Sequence, residues 1–270
     1  MAGNRYPQDS EFFLRIKKGE NVSIPEEIRF TAPFKITSPF YDNEQRLQVM
    51  LMSVSAGIME GDTQNIKIEV DDGANLQMLS QSFEKIHKME SGTARRNIEL
   101  KVGRDAVLIY TPLPSIPYAL SSFSSASIIQ LTDASSSIFY CDILSCGRVA
   151  RGEKFAYTRY ANSVRAYCAD ELIYSDNTVF EPEGMQMEGF CLFEGYTHLL
   201  GIFYFAPGIC EKMIGDIREG LEQEEVKGGA SITGSGGIHI RALADGSEPL
   251  INLEQKIKSI LFDTGKNYAN

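Results

Sequence analysis

Apolar and polar residues alternate along most of the first two thirds of the chain. Ile66, Ile68 and Val70, then Leu76 and Met78, then Ile98, Leu100 and Val102, then Val107 and Ile109 each carry the period-2 signature of a half-buried strand. Turn chemistry interrupts these runs at Asp71-Asp72-Gly73, Ser91-Gly92, Gly103-Arg104-Asp105 and Thr132-Asp133-Ala134, so the strands are short and numerous. A unit of strand, Gly-containing turn and strand recurs around Asp72-Gly73-Ala74 and Val102-Gly103-Arg104, which suits stacked hairpins or solenoid-like coils. The period then changes twice. Ile209, Met213, Ile214, Ile217 and Leu221, and later Leu250, Leu253, Ile257, Ile260 and Leu261, follow spacings of three and four, which predicts two amphipathic helices in the C-terminal third. Between them, Gly228 to Gly237 has the composition of a mobile loop. The expected fold is mainly β with two α-helices, in one domain spanning residues 1–270.

Composition narrows the possible functions. With 43% hydrophobic and 23% charged residues the chain has the makeup of a globular protein. A net charge of -10 argues against nucleic acid, which needs a concentrated basic face. Cys141, Cys146, Cys168, Cys191 and Cys210 include no CxxC pair, so a disulfide framework is not expected. The first residues are polar and the longest apolar runs, such as Leu199 to Pro207, are too short to span a bilayer. These features predict a soluble, cytoplasmic protein.

Familiar catalytic motifs are missing. The Gly-rich stretch has no Lys followed by Ser or Thr to close a phosphate loop. His87, His198 and His239 are scattered outside any hydrolase motif, and no Cys/His cluster has zinc-ligand spacing. Two segments are more informative. In Ser55-Ala-Gly57-Ile-Met-Glu60-Gly61-Asp62, two glycines permit a tight turn and two carboxylates stand beside it; the alternative is a turn whose Asp simply bonds nearby backbone. Asp142 falls in the apolar run Ser137 to Leu144, where a carboxylate needs a partner or water; Arg148 and Arg151 are the candidate structural partners. Glu153, after Gly152, is similarly open to either reading.

Four segments in order resemble the urease accessory protein family UreD, called UreH in some bacteria. Ser55-Ala-Gly57 through Gly61-Asp62 is similar to the family's Gly-Gly-x-x-x-Gly-Asp, and Ser80-Gln81-Ser-Phe-Glu-Lys85 to its Thr-Thr-Gln-x-x-x-Lys. Pro112-Leu-Pro114-Ser-Ile116-Pro117 resembles Pro-x-Pro-x-Ile, and Gly147-Arg148-Val-Ala150-Arg-Gly152-Glu153-Lys-Phe155 resembles Gly-Arg-x-Ala-x-Gly-Glu-x-Phe. Ser55 and Ser80 depart from the pattern, as does Ile86-His87, where many members carry an aromatic pair.

The resemblance implies a β-helical or solenoid-like body and a scaffold that is not an enzyme. It would dock the accessory proteins UreF and UreG, the latter a nickel-carrying GTPase, on the urease apoenzyme, with nickel in transit and no tightly bound cofactor. It makes Asp62 and Asp142 the leading candidates for lining a nickel path, with Glu60, Ser80, Gln81 and Asp176 behind them. Gly57, Gly61, Gly147, Arg148 and Glu153 would shape the wall, and no stable metal site is expected. Leu250 to Phe262 and Tyr174 to Met187 are expected to contact UreF, since an amphipathic helix at a chain end often docks on another surface. Two competing readings are a β-solenoid enzyme acting on carbohydrate, with Asp62 and Asp142 as acid and base, and an interaction module with no metal path.

Overall fold

A computed structural model describes residues 9–263; the polar first eight residues lie outside them. The strands are β1 (Asp9–Lys18), β2 (Ser23–Phe30), β3 (Phe34–Ile36), β4 (Phe40–Tyr41), β5 (Leu47–Ser53), β6 (Thr63–Val70), β7 (Asn75–Ser80), β8 (Glu84–Ile86) and β9 (Ala94–Val102). They continue as β10 (Val107–Thr111), β11 (Ser115–Pro117), β12 (Ser122–Leu131), β13 (Ser137–Ser145), β14 (Arg159–Cys168), β15 (Glu171–Phe180), β16 (His198–Phe205), β17 (Lys227–Ile232) and β18 (Ile238–Ala244). Two helices complete the set, α1 (Glu211–Glu222) and α2 (Ser247–Asp263).

From β5 to β14 the main strands alternate between two sheets, so the chain winds as a two-sheet solenoid. One sheet runs β15-β14-β12-β9-β6-β1-β2; the other runs β17-β18-β16-β13-β10-β7-β5-β3. Within each winding portion the neighbours are parallel, as β6 beside β9 and β7 beside β10. Ile66 lies beside Ile98 and Leu76 beside Leu108, so a turn of the coil there takes 32 residues. The turns stack as well: Gly73 donates its N–H to the Arg104 carbonyl at 2.8 Å, and the Arg104 N–H reaches Asp72 Oδ1 at 2.8 Å. The two Gly-containing units are therefore successive coils, not hairpins. Antiparallel strands finish the margins, with β2 on β1, β15 on β14, and β16, β18 and β17 continuing from β13.

Alternation within each strand sends one face inward. On β6 every second residue from Gln64 to Val70 is buried. Ile66, Ile68, Leu76, Ile98, Leu100 and Leu108 join an apolar core between the sheets. The outer face of the second sheet is apolar too, through Phe139, Cys141, Leu200, Ile202 and Ile240, and the two helices cover it.

Two sequence expectations change here. Leu250, Leu253, Ile257 and Leu261 of α2 are buried against this sheet and α1, so that apolar face is occupied by the chain itself and is not free for a partner. Gly228 to Gly237 is not a mobile loop. Its first half lies in edge strand β17, paired with β18, and only the Thr233–Gly237 turn is irregular. Gly228 is needed because a Cβ there would stand 2.6 Å from the Arg241 carbonyl oxygen of the neighbouring strand.

Candidate functional site

The inner face of the first sheet is apolar along most rows but not along one. Gln64 of β6 lies beside Arg96 of β9, Arg96 beside Ser125 of β12, Ser125 beside Asn162 of β14, and Asn162 beside Thr178 of β15. Five strands thus place five polar residues in register across the interior. Asp142 of β13 answers from the second sheet, in a row that continues through Gly201 of β16 to Arg241 of β18. Strand alternation directs Asp142 to the same face as Ile138 and Tyr140, into the space between the sheets.

A cavity of about 80 Å³ lies along the middle of this row, at Arg96, Ser125 and Asn162, large enough for a few waters. Ser80, Gln81, Arg96, Tyr110, Asp142, Tyr160 and Asn162 are among its lining residues, with Ile66, Phe123 and Ile143 as apolar wall. Gln81 is exposed, so that end reaches the surface, while Asp142 and Asn162 come from strands further along the sheets. Arg96 organises the middle: it donates to Gln64 Oε1 at 2.8 and 2.6 Å and to Glu84 Oε2 at 2.6 Å, so its largely buried charge is matched. Ser80 Oγ accepts the Leu113 N–H at 2.7 Å.

Apart from the Arg96–Glu84 pair, the lining carries neutral hydroxyls and amides and one unusual acid. Burial pushes the phenols of lining residues Tyr110, up to about 12, and Tyr160, and of Tyr140 stacked on Tyr110, above their ordinary value, so all three are neutral at pH 7. Burial also raises the Asp142 carboxyl from 3.8 to about 6. Nearby Arg241 opposes that rise, Asp176 adds to it, and the Asn162 amide, donating to Asp142 Oδ2 at 3.3 Å, opposes it. The carboxylate remains the majority form at neutral pH, but poised near protonation.

The other residues singled out in the sequence sit elsewhere. Asp62 closes its turn by accepting the Met59 N–H at 2.7 Å, and is not part of the cavity that holds Asp142. Glu60 accepts the Glu90 N–H at 2.6 Å and that of Ser91 at 3.4 Å; the Glu90 bond foremost holds its carboxyl below the ordinary range. Asp176 pairs with Arg241 across the two sheets and lines a separate open cleft of about 590 Å³. Arg148 pairs with Glu153, not with Asp142, and stacks over Tyr118 at 3.9 Å; the bond from Arg148 is the main reason the Glu153 carboxyl titrates low. Gly57 and Gly147 occupy positive-φ positions where a Cβ would stand 2.3 Å from the carbonyl oxygens of Lys85 and Glu153 respectively. Gly61, also at positive φ, faces open space. Among the described residues no group of three or more His, Cys, Asp or Glu side chains is gathered for a metal. Arg96 and Arg241, which organise the polar interior, were not among the sequence candidates.

The family model described as UreD urease accessory protein matches residues 8–264. The chain belongs to the UreD urease accessory protein family. Among UreD relatives, the urease accessory protein UreH of Helicobacter pylori strain G27 is 36% identical over 263 residues, covering 97% of this chain and 98% of its own. UreH of Helicobacter acinonychis is 37% identical over 257 residues, 95% and 96% of the two chains, and UreD of Acetivibrio thermocellus 35% over 261 residues, 96% and 99%. The UreD family is one of accessory proteins, not catalysts. No helix among the described residues is long and apolar enough to cross a membrane.

Proposed function

We propose that this chain acts in the cytoplasm in urease maturation, as a scaffold that docks UreF and the GTPase UreG on the urease apoenzyme and offers nickel a path toward the active site. Family membership supports the role in maturation. The observation that carries the path is the polar row, which takes Gln64, Arg96, Ser125, Asn162 and Thr178 across an otherwise apolar interior to meet Asp142. An interior of this kind is costly to build, because each buried polar group must be satisfied, and an apolar row would pack as well.

The chemistry of the lining suits an ion in transit. Nickel accepts carboxylate, amide, hydroxyl and water oxygens, and a conducting route needs several weak stations in place of one tight cage. Neutral phenols and serine hydroxyls are weak ligands; Asp142 adds a charged one, and Glu84 is already balanced by Arg96. Asp62 and Glu60 lie outside this cavity, and on this reading they belong to the same path only if it extends past the cavity mouth.

The test is urease activity in nickel-supplied cells that carry apo-urease and the other accessory factors, comparing this chain, no chain, and Asp142→Ala or Asp62→Ala variants that still capture UreF. Restored activity with the chain and lost activity with Asp142→Ala supports scaffold and path together. Full activity with Asp142→Ala leaves an interaction module without a metal path, and no activity with the chain refutes the assembly role.

A further inference from the structure

The cavity and the open cleft approach each other along the β14–β15 pair. On the first sheet Asn162, which lines the cavity, lies in register with Thr178, which lines the cleft. On the second sheet Asp142 and Arg241 flank Gly201 in a single row. Two interstrand spacings separate them, about 10 Å, a distance that an arginine side chain can largely span. Arg241 reaches instead to the facing sheet: its guanidinium pairs with Asp176 and lies 3.4 Å from Thr178 Oγ1. At this boundary, beside the buried rings of Tyr160 and Phe180, an ion pair joins the two sheets.

Gly201 makes this arrangement possible. A Cβ at that position would lie 3.2 Å from Asp142 Oδ1, so a side chain there would press on the carboxylate. Gly201 is not in a positive-φ conformation, so backbone strain does not explain the glycine; the space does. The pair itself is partly solvated, with about a third of the Arg241 side chain and a quarter of that of Asp176 exposed to the cleft, so breaking it does not strand a fully buried charge.

We propose that Arg241 is a gate between the Asp142 cavity and the cleft: paired with Asp176 it closes the connection, and swung into the cleft it opens a passage over Gly201. This rests on the nickel-path reading and adds to it the residue that controls the far end. A divalent cation arriving beside Asp142 and Asp176 replaces the guanidinium as counter-charge and repels it, so entry and opening are coupled.

The same cells and full chain test it, with nickel bound per urease as the readout and UreF capture as the control for folding. Gly201→Val presses on the Asp142 carboxylate and is expected to lose nickel loading while still capturing UreF; Gly201→Ala, a smaller change, serves if the valine variant captures nothing. Arg241→Ala removes the gate and is expected to load nickel faster than the original chain. An ion pair that only braces the sheets leaves the loading rate of a UreF-capturing Arg241→Ala variant unchanged. Unchanged or reduced loading by a UreF-capturing Arg241→Ala variant, or full loading by both Gly201 variants, overturns the gate. In that event Asp142→Asn tells the two readings apart: if it loses loading the path stands without this gate, and if it loads normally the path itself has failed.

Discussion

Asp142 makes the chain less stable at neutral pH than it would be without the charge, and the size of that effect can be worked out. Its carboxyl is raised from 3.8 to about 6, so the folded protein holds a proton there that the unfolded chain has released between those values. Stability falls with pH wherever the folded state binds more protons, so the penalty is absent below about pH 4, grows through pH 5 and is complete above about pH 7. A shift of about 2 units at 1.36 kcal/mol each sets a ceiling of about 3 kcal/mol, and water in the cavity lowers it. Asp142→Asn keeps the shape and can still accept from Asn162 but carries no charge. Urea unfolding of both proteins at pH 4, 6 and 8 should show the variant gaining about 2 kcal/mol between pH 4 and pH 8 relative to the original. The difference between pH values cancels any fixed effect of the amide on packing. A stability difference that stays constant across this range would refute the reasoning, because Asp142 would then not be a carboxylate strained by burial. A gain in stability coupled to a loss of nickel loading would show what the charge is retained for.

Three further outcomes follow from the packing. Arg96→Met leaves Glu84 without its partner in a largely buried place and should cost about 3 kcal/mol in urea unfolding; Arg96→Met with Glu84→Gln should recover much of it. Gly57→Ala forces a Cβ toward the Lys85 carbonyl oxygen at positive φ and should cost about 2 kcal/mol or more, whereas Gly61→Ala, with nothing near its Cβ, should cost less in the same assay. Leu253→Ala empties a fully buried position under α2 and should cost about 3 kcal/mol; deletion after Asn252 should accordingly lower the melting temperature and expose apolar surface to a hydrophobic dye, beyond any effect on UreF capture.

The strands and helices were legible because each depends on local periodicity. Thr63 to Val70 alternates in sequence and in burial alike, and Met213, Ile214, Ile217 and Leu221 lie on the buried side of α1. The solenoid was legible only as an analogy between two turns, since pairing across 32 residues leaves no mark within either strand. Gly228 and its neighbours were misread because glycine composition signals a loop and a close backbone approach equally well, and only the Arg241 carbonyl at 2.6 Å distinguishes them. Asp142 stood out as a charge in an apolar run, but Arg148 was its expected partner by nearness in sequence, while the contacts made are with Asn162 and the Arg241 region of other strands. A signal for the polar row did exist. Gln64 and Arg96 each occupy the phase that Ile66 and Ile98 otherwise make apolar, and they are separated by the length of one coil. Reading polar interruptions at the coil repeat, instead of one strand at a time, would have found Arg96.

The most direct test of the central claim is the amount of nickel delivered to urease. Apo-urease matured in cells with either this chain or Asp142→Asn, at equal UreF and UreG capture, should differ sharply in radiolabelled nickel bound per enzyme: loaded with the original chain, nickel-poor with the variant. Equal loading by the two proteins would contradict a nickel path through the polar interior.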